Sequence, residues 1–259
     1  MSWTALLLAG QRPGIDPLAD AFGETWKAQV RVGGEAMLSR VARTLLACPS
    51  LTRIVIVAQQ PEALLTGDCA WLANEPRVTL AISDSGIATS IAGIAGGSAA
   101  PWPVLVTTAD HPLLTVDMVE AVMAGAGEAD AAVGVVGRRT LLAAYPNNKR
   151  TWLNFADDGF TGANLFALTG ERARNALMAW SEVERDRKKA IKLIWHFGPW
   201  LALRALTRTI TIAGAMRAAG RKLGFAAVPV ILPWAEAGID VDKPGDHALA
   251  ETILAARAL

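Results

Sequence analysis

Thr4-Ala5-Leu6-Leu7-Leu8-Ala9-Gly10-Gln11-Arg12-Pro13-Gly14 decides how the rest of this 259-residue chain is read. A short apolar run that breaks at once on glycine and proline reads as a buried strand feeding a loop, which continues here to about Lys27. The run lacks a basic flank and is too short for a secretory signal. Similar runs recur at Arg53–Ala58, Arg77–Ile82, Val104–Thr108 and Ala131–Val136. Helical spacing falls between them. Glu35–Ala47 puts Met37, Leu38, Val41 and Leu45 on one face. Pro61–Ala73 reads as a weaker helix, Thr89–Gly96 as a short one, and Thr115–Ala124 as a helix capped by Thr115. Strands alternating with helices predict an α/β fold with a mainly parallel sheet.

The second half is less regular. Trp152–Phe155, Asn164–Leu168, Ala226–Leu232 and Gly238–Val241 read as strands. Glu171–Trp180, Val183–Phe197, Pro199 to about Thr207, Thr211–Leu223 and Asp246–Ala258 read as helices. The reading is one domain over 1–259 with a helical annex at about 171–222. Charge sets that annex apart. Residues 1–170 carry a net −4, residues 171–222 a net +8 and residues 223–259 a net −3, within a chain of net +1. Near-neutrality over the whole chain argues against a nucleic-acid binder. Two cysteines, Cys48 and Cys69, give no disulfide framework and no zinc spacing, and fit a reducing cytoplasm. The annex joins Arg185, Arg187, Lys188, Lys189 and Lys192 to Trp195, His196 and Trp200. Three readings stand for it: a hairpin packed on the sheet, a lid over an anionic substrate, or a peripheral contact of about 185–206 with the inner face of an anionic membrane.

In an open parallel sheet, ligands sit at the carboxyl ends of the strands. After the first strand, Leu8-Ala9-Gly10-Gln11-Arg12 reads either as a glycine turn through which backbone N–H groups approach phosphates, with Arg12 and Lys27 supplying positive charge, or as an ordinary strand–loop crossover with surface charges. The spacing matches neither G-x-G-x-x-G nor a Walker P-loop. Asp110 ends the Val104–Thr108 run, in Ala109-Asp110-His111-Pro112. Asp240 and Asp242 stand two apart in Gly238-Ile239-Asp240-Val241-Asp242, on one face if that segment is a strand. Three carboxylates from two strand ends suit Mg²⁺, which takes oxygen ligands alongside substrate phosphates. The alternative for Asp110 is to cap a turn before Pro112, and Asp246 reads as a helix N-cap. Gly86, Thr89 and Ser90 open a helix after the third strand, where small hydroxylated residues either admit a base and ribose or merely cap. Gly162, in Thr161-Gly162-Ala163-Asn164, marks either a close ligand approach or a bulge.

Together these pieces resemble the MobA-like nucleotidyltransferases, a branch of the GT-A-type Rossmann-like enzymes. The family's opening Leu-Ala-Gly-Gly…Arg…Lys-Ala…Gly-Gly-x-Pro-Met-Leu is similar to Leu8-Ala9-Gly10-Gln11-Arg12…Lys27-Ala28…Gly33-Gly34-Glu35-Ala36-Met37-Leu38. Its metal aspartate before a proline matches Asp110. Its late Asp-Ile-Asp-Thr-Pro-Glu-Asp resembles Asp240-Val241-Asp242-Lys243-Pro244-Gly245-Asp246, and its Gly-Gly-Asn-x-Phe strand resembles Gly162-Ala163-Asn164-Leu165-Phe166. Gln11 departs from the family's second glycine, and the loop to Lys27 is longer than usual. The resemblance implies a mixed, mostly parallel Rossmann-like sheet and transfer of NMP from NTP, with CTP as the favoured donor, to a small phosphorylated acceptor, with pyrophosphate release. The implied products are precursors for lipid head groups or glycoconjugates. It implies catalytic roles for Arg12, Lys27 and Asp110, and nucleotide contacts from Leu8, Ala9, Gly10, Gln11, Gly86, Thr89 and Ser90. Gly162 and Asn164 would face the acceptor, and Asp110 with Asp240 or Asp242 would hold Mg²⁺. The competing classes are a GT-A glycosyltransferase using a sugar nucleotide and a non-enzymatic membrane-associated binding protein.

Overall fold

The computed structural model describes residues 2–11, 13–83, 86–185, 204 and 207–257. β1 (Trp3–Leu8) is the buried strand expected, and its residues face both ways. Ala5 and Leu7 enter one buried cluster and Leu6 the other, as a two-residue period requires of a strand covered on both faces. The loop after it holds a short helix, α1 (Pro17–Ala21), with Asp16 as N-cap. Arg31–Val32 (β2) and Glu35–Ala36 (β3) then form a tight hairpin around Gly33 and Gly34. Both glycines have positive φ, 63° and 79°, as a two-residue hairpin turn requires. The expected helix from Glu35 therefore starts two residues later, as α2 (Met37–Ala47).

β4 (Leu51–Ala58) is followed by two 3₁₀ turns, Pro61–Leu64 and Gly67–Asn74, in place of the single helix expected at Pro61–Ala73. Pro61 and Gly67 interrupt the pattern that an α-helix would need. Then come β5 (Val78–Ile82), α3 (Ile87–Ile94), β6 (Val104–Thr108), α4 (Val116–Ala126), capped by Thr115 as expected, and β7 (Ala131–Gly137). A helix absent from the sequence reading, α5 (Arg138–Ala144), follows directly. β8 (Leu153–Asn154) and β9 (Gly159–Leu168) lead to α6 (Ala173–Arg185), α7 (Ile212–Leu223), β10 (Ala227–Leu232) and α8 (Pro244–Arg257). The expected strand at Gly238–Val241 is not formed. A 3₁₀ turn, Ala235–Gly238, runs into an unpaired extended segment.

Apart from the β2–β3 hairpin, the strands form one mixed sheet, mostly parallel, in the order β10-β7-β9-β6-β1-β4-β5, with β8 beside β9. Within that sheet, among the described residues, only the pairs that involve β9 are antiparallel. The chain moves from β1 outward to β4 and β5, then returns to place β6 on the other side of β1. That reversal opens a crevice at the carboxyl ends of β1 and β6, where α/β sheets hold their ligands. One face of the sheet is covered by α2 and α4 over a core including Leu38, Leu45, Val119 and Val122. The other is covered by α3 and α6 over Ile91 and Leu177. Among the described residues no helix is long and apolar enough to cross a membrane. The lid and membrane readings of the annex fall largely on 186–203 and 205–206, which lie outside the described residues.

Candidate active site

The crevice is built from β1 and β6 outward. The N–H of Ala109 donates to the carbonyl of Leu8 at 2.8 Å, so the two strand ends leave the sheet together. Past this point β6 delivers Asp110. The segment Ile239–Asp242 lies alongside it because the Val241 N–H donates to the Asp110 carbonyl at 2.8 Å. A single backbone bond, with Ile239 and Val241 buried beneath, thus does the positioning that a strand was expected to do.

Lys27 stands between the carboxylates. Its ammonium lies 2.6 Å from Asp110 Oδ2 and is also paired with Asp242. Burial alone would lower the pKa of this lysine. The charges and hydrogen bonds of Asp110, then of Asp242, more than offset that and push it up to about 12. Gln11, the residue that departs from the family pattern, fixes Lys27 from behind: its Oε1 accepts the Lys27 N–H at 2.8 Å. The Gln11 N–H donates to Gln59 Oε1 at 3.0 Å. Gly10 passes close to the same side chain, and a Cβ at Gly10 would meet Gln59 Oε1 at 3.1 Å. A cavity of about 590 Å³ adjoins this loop, lined in part by Gln11, Gly14, Thr25 and Gln59. Arg12 lies outside the described residues.

Asp240 is occupied differently. Arg150 pairs with its carboxylate and donates to its carbonyl at 2.9 Å. Asn164 Nδ2 donates to Asp240 Oδ2 at 3.2 Å. Burial raises the pKa of Asp240, the Arg150 charge opposes that, and Asp242 and Asp110 add to the rise. Asn164 itself has φ 50°, a left-handed conformation uncommon outside glycine, next to an irregularity in the β7–β9 register. Gly162 faces open space, since a Cβ there would meet nothing within 4 Å. Asp246, read from the sequence as a cap, is buried. Its Oδ2 accepts the Asp242 N–H at 3.3 Å and its Oδ1 lies 3.7 Å from Arg150.

On the β5 side, Ser90 is buried, with its Oγ 2.8 Å from Ser83 Oγ and donating to the Gly86 carbonyl at 3.0 Å. Thr89 is half-buried. The first N–H groups of α3 are taken by Glu184 of α6, which accepts from Ile87 at 2.8 Å and from Ala88 at 3.1 Å. Gly86 leaves room for that carboxylate, since a Cβ there would stand 2.6 Å from Glu184 Oε2. The structure therefore gathers Gly10, Gln11, Lys27, Asp110 and Asp242 along one crevice. Arg150 joins Asp240 to Asp246, Asn164 donates to Asp240, and Asp246 ties that group to the Asp242 N–H. Arg150, Gln59 and Glu184 were not found from the sequence. Arg150 sits in a loop with no periodicity, and only the basic pair Lys149-Arg150 marked it.

Asp110 Oδ1 is buried and has no hydrogen-bond partner among the described residues, and neither have the Thr107 and Thr108 hydroxyls or the two ring nitrogens of His111. A carboxylate oxygen left without a donor, on a residue whose other oxygen holds a cation, fits a hard divalent ion. Among the described residues no three acidic, imidazole or thiol groups form a ready metal shell. One or two carboxylates completed by substrate phosphates is the usual pattern for Mg²⁺, and Asp110 and Asp242 are the carboxylates that would supply it.

His111 is fully buried behind Asp110. Burial drives its pKa down from 6.5 to about 4. The Asp110 charge opposes this, while Arg150 and Arg257 assist it. The unfolded chain therefore binds a proton between these values that the native state refuses, so stability falls as pH drops from about 6.5 toward 4. The expected loss is on the order of 3 kcal/mol. Urea midpoints measured across this range in metal-free buffer should show it, and His111→Asn should flatten the slope. An unchanged slope would mean that His111 is not held neutral.

A family model described as "MobA-like NTP transferase domain" matches residues 5–194. A search of curated proteins gave no significant match. Among solved structures, a hypothetical transferase from Thermus thermophilus is 28% identical, with TM-score 0.78, over 95% of this chain and 100% of that one. A 4-diphosphocytidyl-2C-methyl-D-erythritol synthase from Anaerococcus prevotii is 10% identical, with TM-score 0.58, over 97% and 95%. A CMP:2-keto-3-deoxy-manno-octonic acid synthetase complexed with CTP is 15% identical, with TM-score 0.57, over 99% of both. At such identities the last two share the fold.

Proposed function

The chain belongs to the MobA-like NTP transferase family and is a nucleotidyltransferase, and from that premise we propose that it transfers CMP from CTP to a small phosphorylated sugar, polyol or hydroxy acid, releasing pyrophosphate. The observation that carries this reading is Lys27, held between Asp110 and Asp242 at the crevice between β1 and β6. A cation flanked by two carboxylates beside a glycine loop suits a reaction in which charge shifts between phosphates.

The acceptor phosphate is an anion near neutral pH, so its oxygen attacks the α-phosphorus without a general base. One P–O bond forms there, and the α-phosphorus bond to the pyrophosphate oxygen breaks. Lys27 and Arg12 stabilise the charge that gathers on the departing pyrophosphate. Backbone groups of Leu8, Ala9, Gly10 and Gln11 line the triphosphate. Gly86 and Thr89 face the base and ribose, and Ser90 positions that turn through Ser83 and the Gly86 carbonyl. Gly162 and Asn164 border the acceptor. Asp110 and Asp242 are the residues that would hold Mg²⁺, and Asp240 is kept apart by Arg150. When bound, the ion supplies charge neutralisation and orientation of the phosphate oxygens.

CTP as donor is supported by two fold relatives whose names carry CTP or a diphosphocytidyl group. Nucleotide-activated small molecules of this kind are precursors for glycoconjugates and lipid head groups. The test is a screen of four NTPs against phosphorylated polyols, sugars and hydroxy acids, read by pyrophosphate release. CTP-dependent release with one acceptor class is expected. Turnover of a sugar nucleotide to NDP, with no pyrophosphate from any NTP, would overturn the proposal in favour of glycosyl transfer.

A further inference from the structure

We propose that a second cavity, beside the carboxylate cluster, recognises the far end of the acceptor, and that this end carries a negative charge in addition to the attacking phosphate. The proposal rests on the nucleotidyl-transfer reading for the acceptor's near end. The cavity, of about 480 Å³, opens between the loop that follows α5 and the start of α8. That volume suits a small metabolite. It adjoins the reacting centre on the β7 and β9 side: Asp246, in its wall, contacts Arg150 and the Asp242 N–H, and Arg150 holds Asp240. The groups assigned to the nucleotide stand on the opposite side, at the ends of β1 and β5.

The wall carries two exposed lysines. Lys149 and Lys243 both line the cavity. Neither side chain has an ion pair or hydrogen bond with a described residue. The acidic wall residue does not neutralise them, because Asp246 is buried and engaged with Arg150 and the Asp242 N–H. Asp240 shares that same Arg150 and accepts from Asn164. Neither ammonium is thus in contact with a carboxylate of the wall, and both are open to whatever enters. A molecule whose phosphate reaches Asp110 and Asp242 presents its other end to them. A carboxylate or second phosphate there gains charge-assisted hydrogen bonds that a hydroxyl does not. Tyr145 does not compete as an acid or base, since burial and the hydrogen bond to Glu236 push its phenol up to about 12.

Calorimetric titration with matched probes tests this without turnover. The pairs are glycerol 3-phosphate against 3-phosphoglycerate, and ribitol 5-phosphate against ribonate 5-phosphate, which differ by one carboxylate. In at least one pair the carboxylate member is expected to bind about 10-fold more tightly, the effect of one charge-assisted hydrogen bond of about 1.4 kcal/mol. Lys149→Met/Lys243→Met should bring the two members within about twofold while leaving the phosphate-only member's affinity unchanged, and the double arginine variant should keep the preference. Equal binding within every pair, a preference that survives the methionine variant, or binding of no probe would overturn the proposal. The underlying nucleotidyl-transfer reading fails separately, by absence of pyrophosphate from every NTP.

Discussion

Asp110→Asn is expected to lower pyrophosphate release by about 10³-fold or more, equivalent to about 4 kcal/mol of transition-state stabilisation, in a protein that folds normally. The substitution keeps the shape of the side chain and removes its charge. Two consequences follow from the geometry. The buried Oδ1, which has no donor among the described residues, loses its ability to hold a cation. The ion pair to Lys27 is also lost, so that lysine is left to Asp242. The backbone role of Asp110, accepting the Val241 N–H, survives the change, and so the fold should too. Single-turnover assays with a thermal melt check both parts. A folded variant with wild-type turnover would remove Asp110 from the site.

Lys27→Ala is the second large effect, with an expected loss of about 10²–10³ in kcat, or about 3–4 kcal/mol. Its ammonium serves two states. Without substrate it is shared between Asp110 and Asp242, and during reaction it faces the charge developing toward pyrophosphate. Removing it should slow turnover and at the same time tighten the apparent Mg²⁺ dependence, since the ammonium no longer competes for the two carboxylates. Mg²⁺ titrations at saturating CTP separate these effects. Slower turnover with a weaker Mg²⁺ dependence would mean that Lys27 helps to build the metal site. Unchanged turnover would remove it from the chemistry.

The sheet was legible in the residues because burial on both faces leaves short continuous apolar runs. Leu6 and Leu7 serve opposite cores, and only a strand allows that. Asp110 stands where the Val104–Thr108 run stops, whereas Lys27 lies far along the loop after the first run and is marked only by the family resemblance. Elements set by tertiary contact were less legible. Asp240 and Asp242 read as a strand pair through the alternation of Ile239 and Val241. Those side chains are indeed buried, but by packing against α8 and the β2 strand rather than by a ladder. Arg150 and Asp246 meet only because α8 folds back beside the loop after α5, and nothing local in Asn148-Lys149-Arg150 announces it. Gln11 departs from the family's second glycine. In the structure it binds Lys27 and Gln59, and so fixes the loop from within.

Attack of an acceptor phosphate on the α-phosphorus of CTP leaves a diphosphate linkage in the product. Phosphorus-31 NMR of a reaction with CTP, Mg²⁺ and the acceptor that releases pyrophosphate in the screen reads that linkage. A new pair of mutually coupled resonances from one diphosphate linkage is expected, appearing in step with an equimolar amount of pyrophosphate. Loss of CTP to CDP and inorganic phosphate, or a product with a single uncoupled phosphorus, would contradict it.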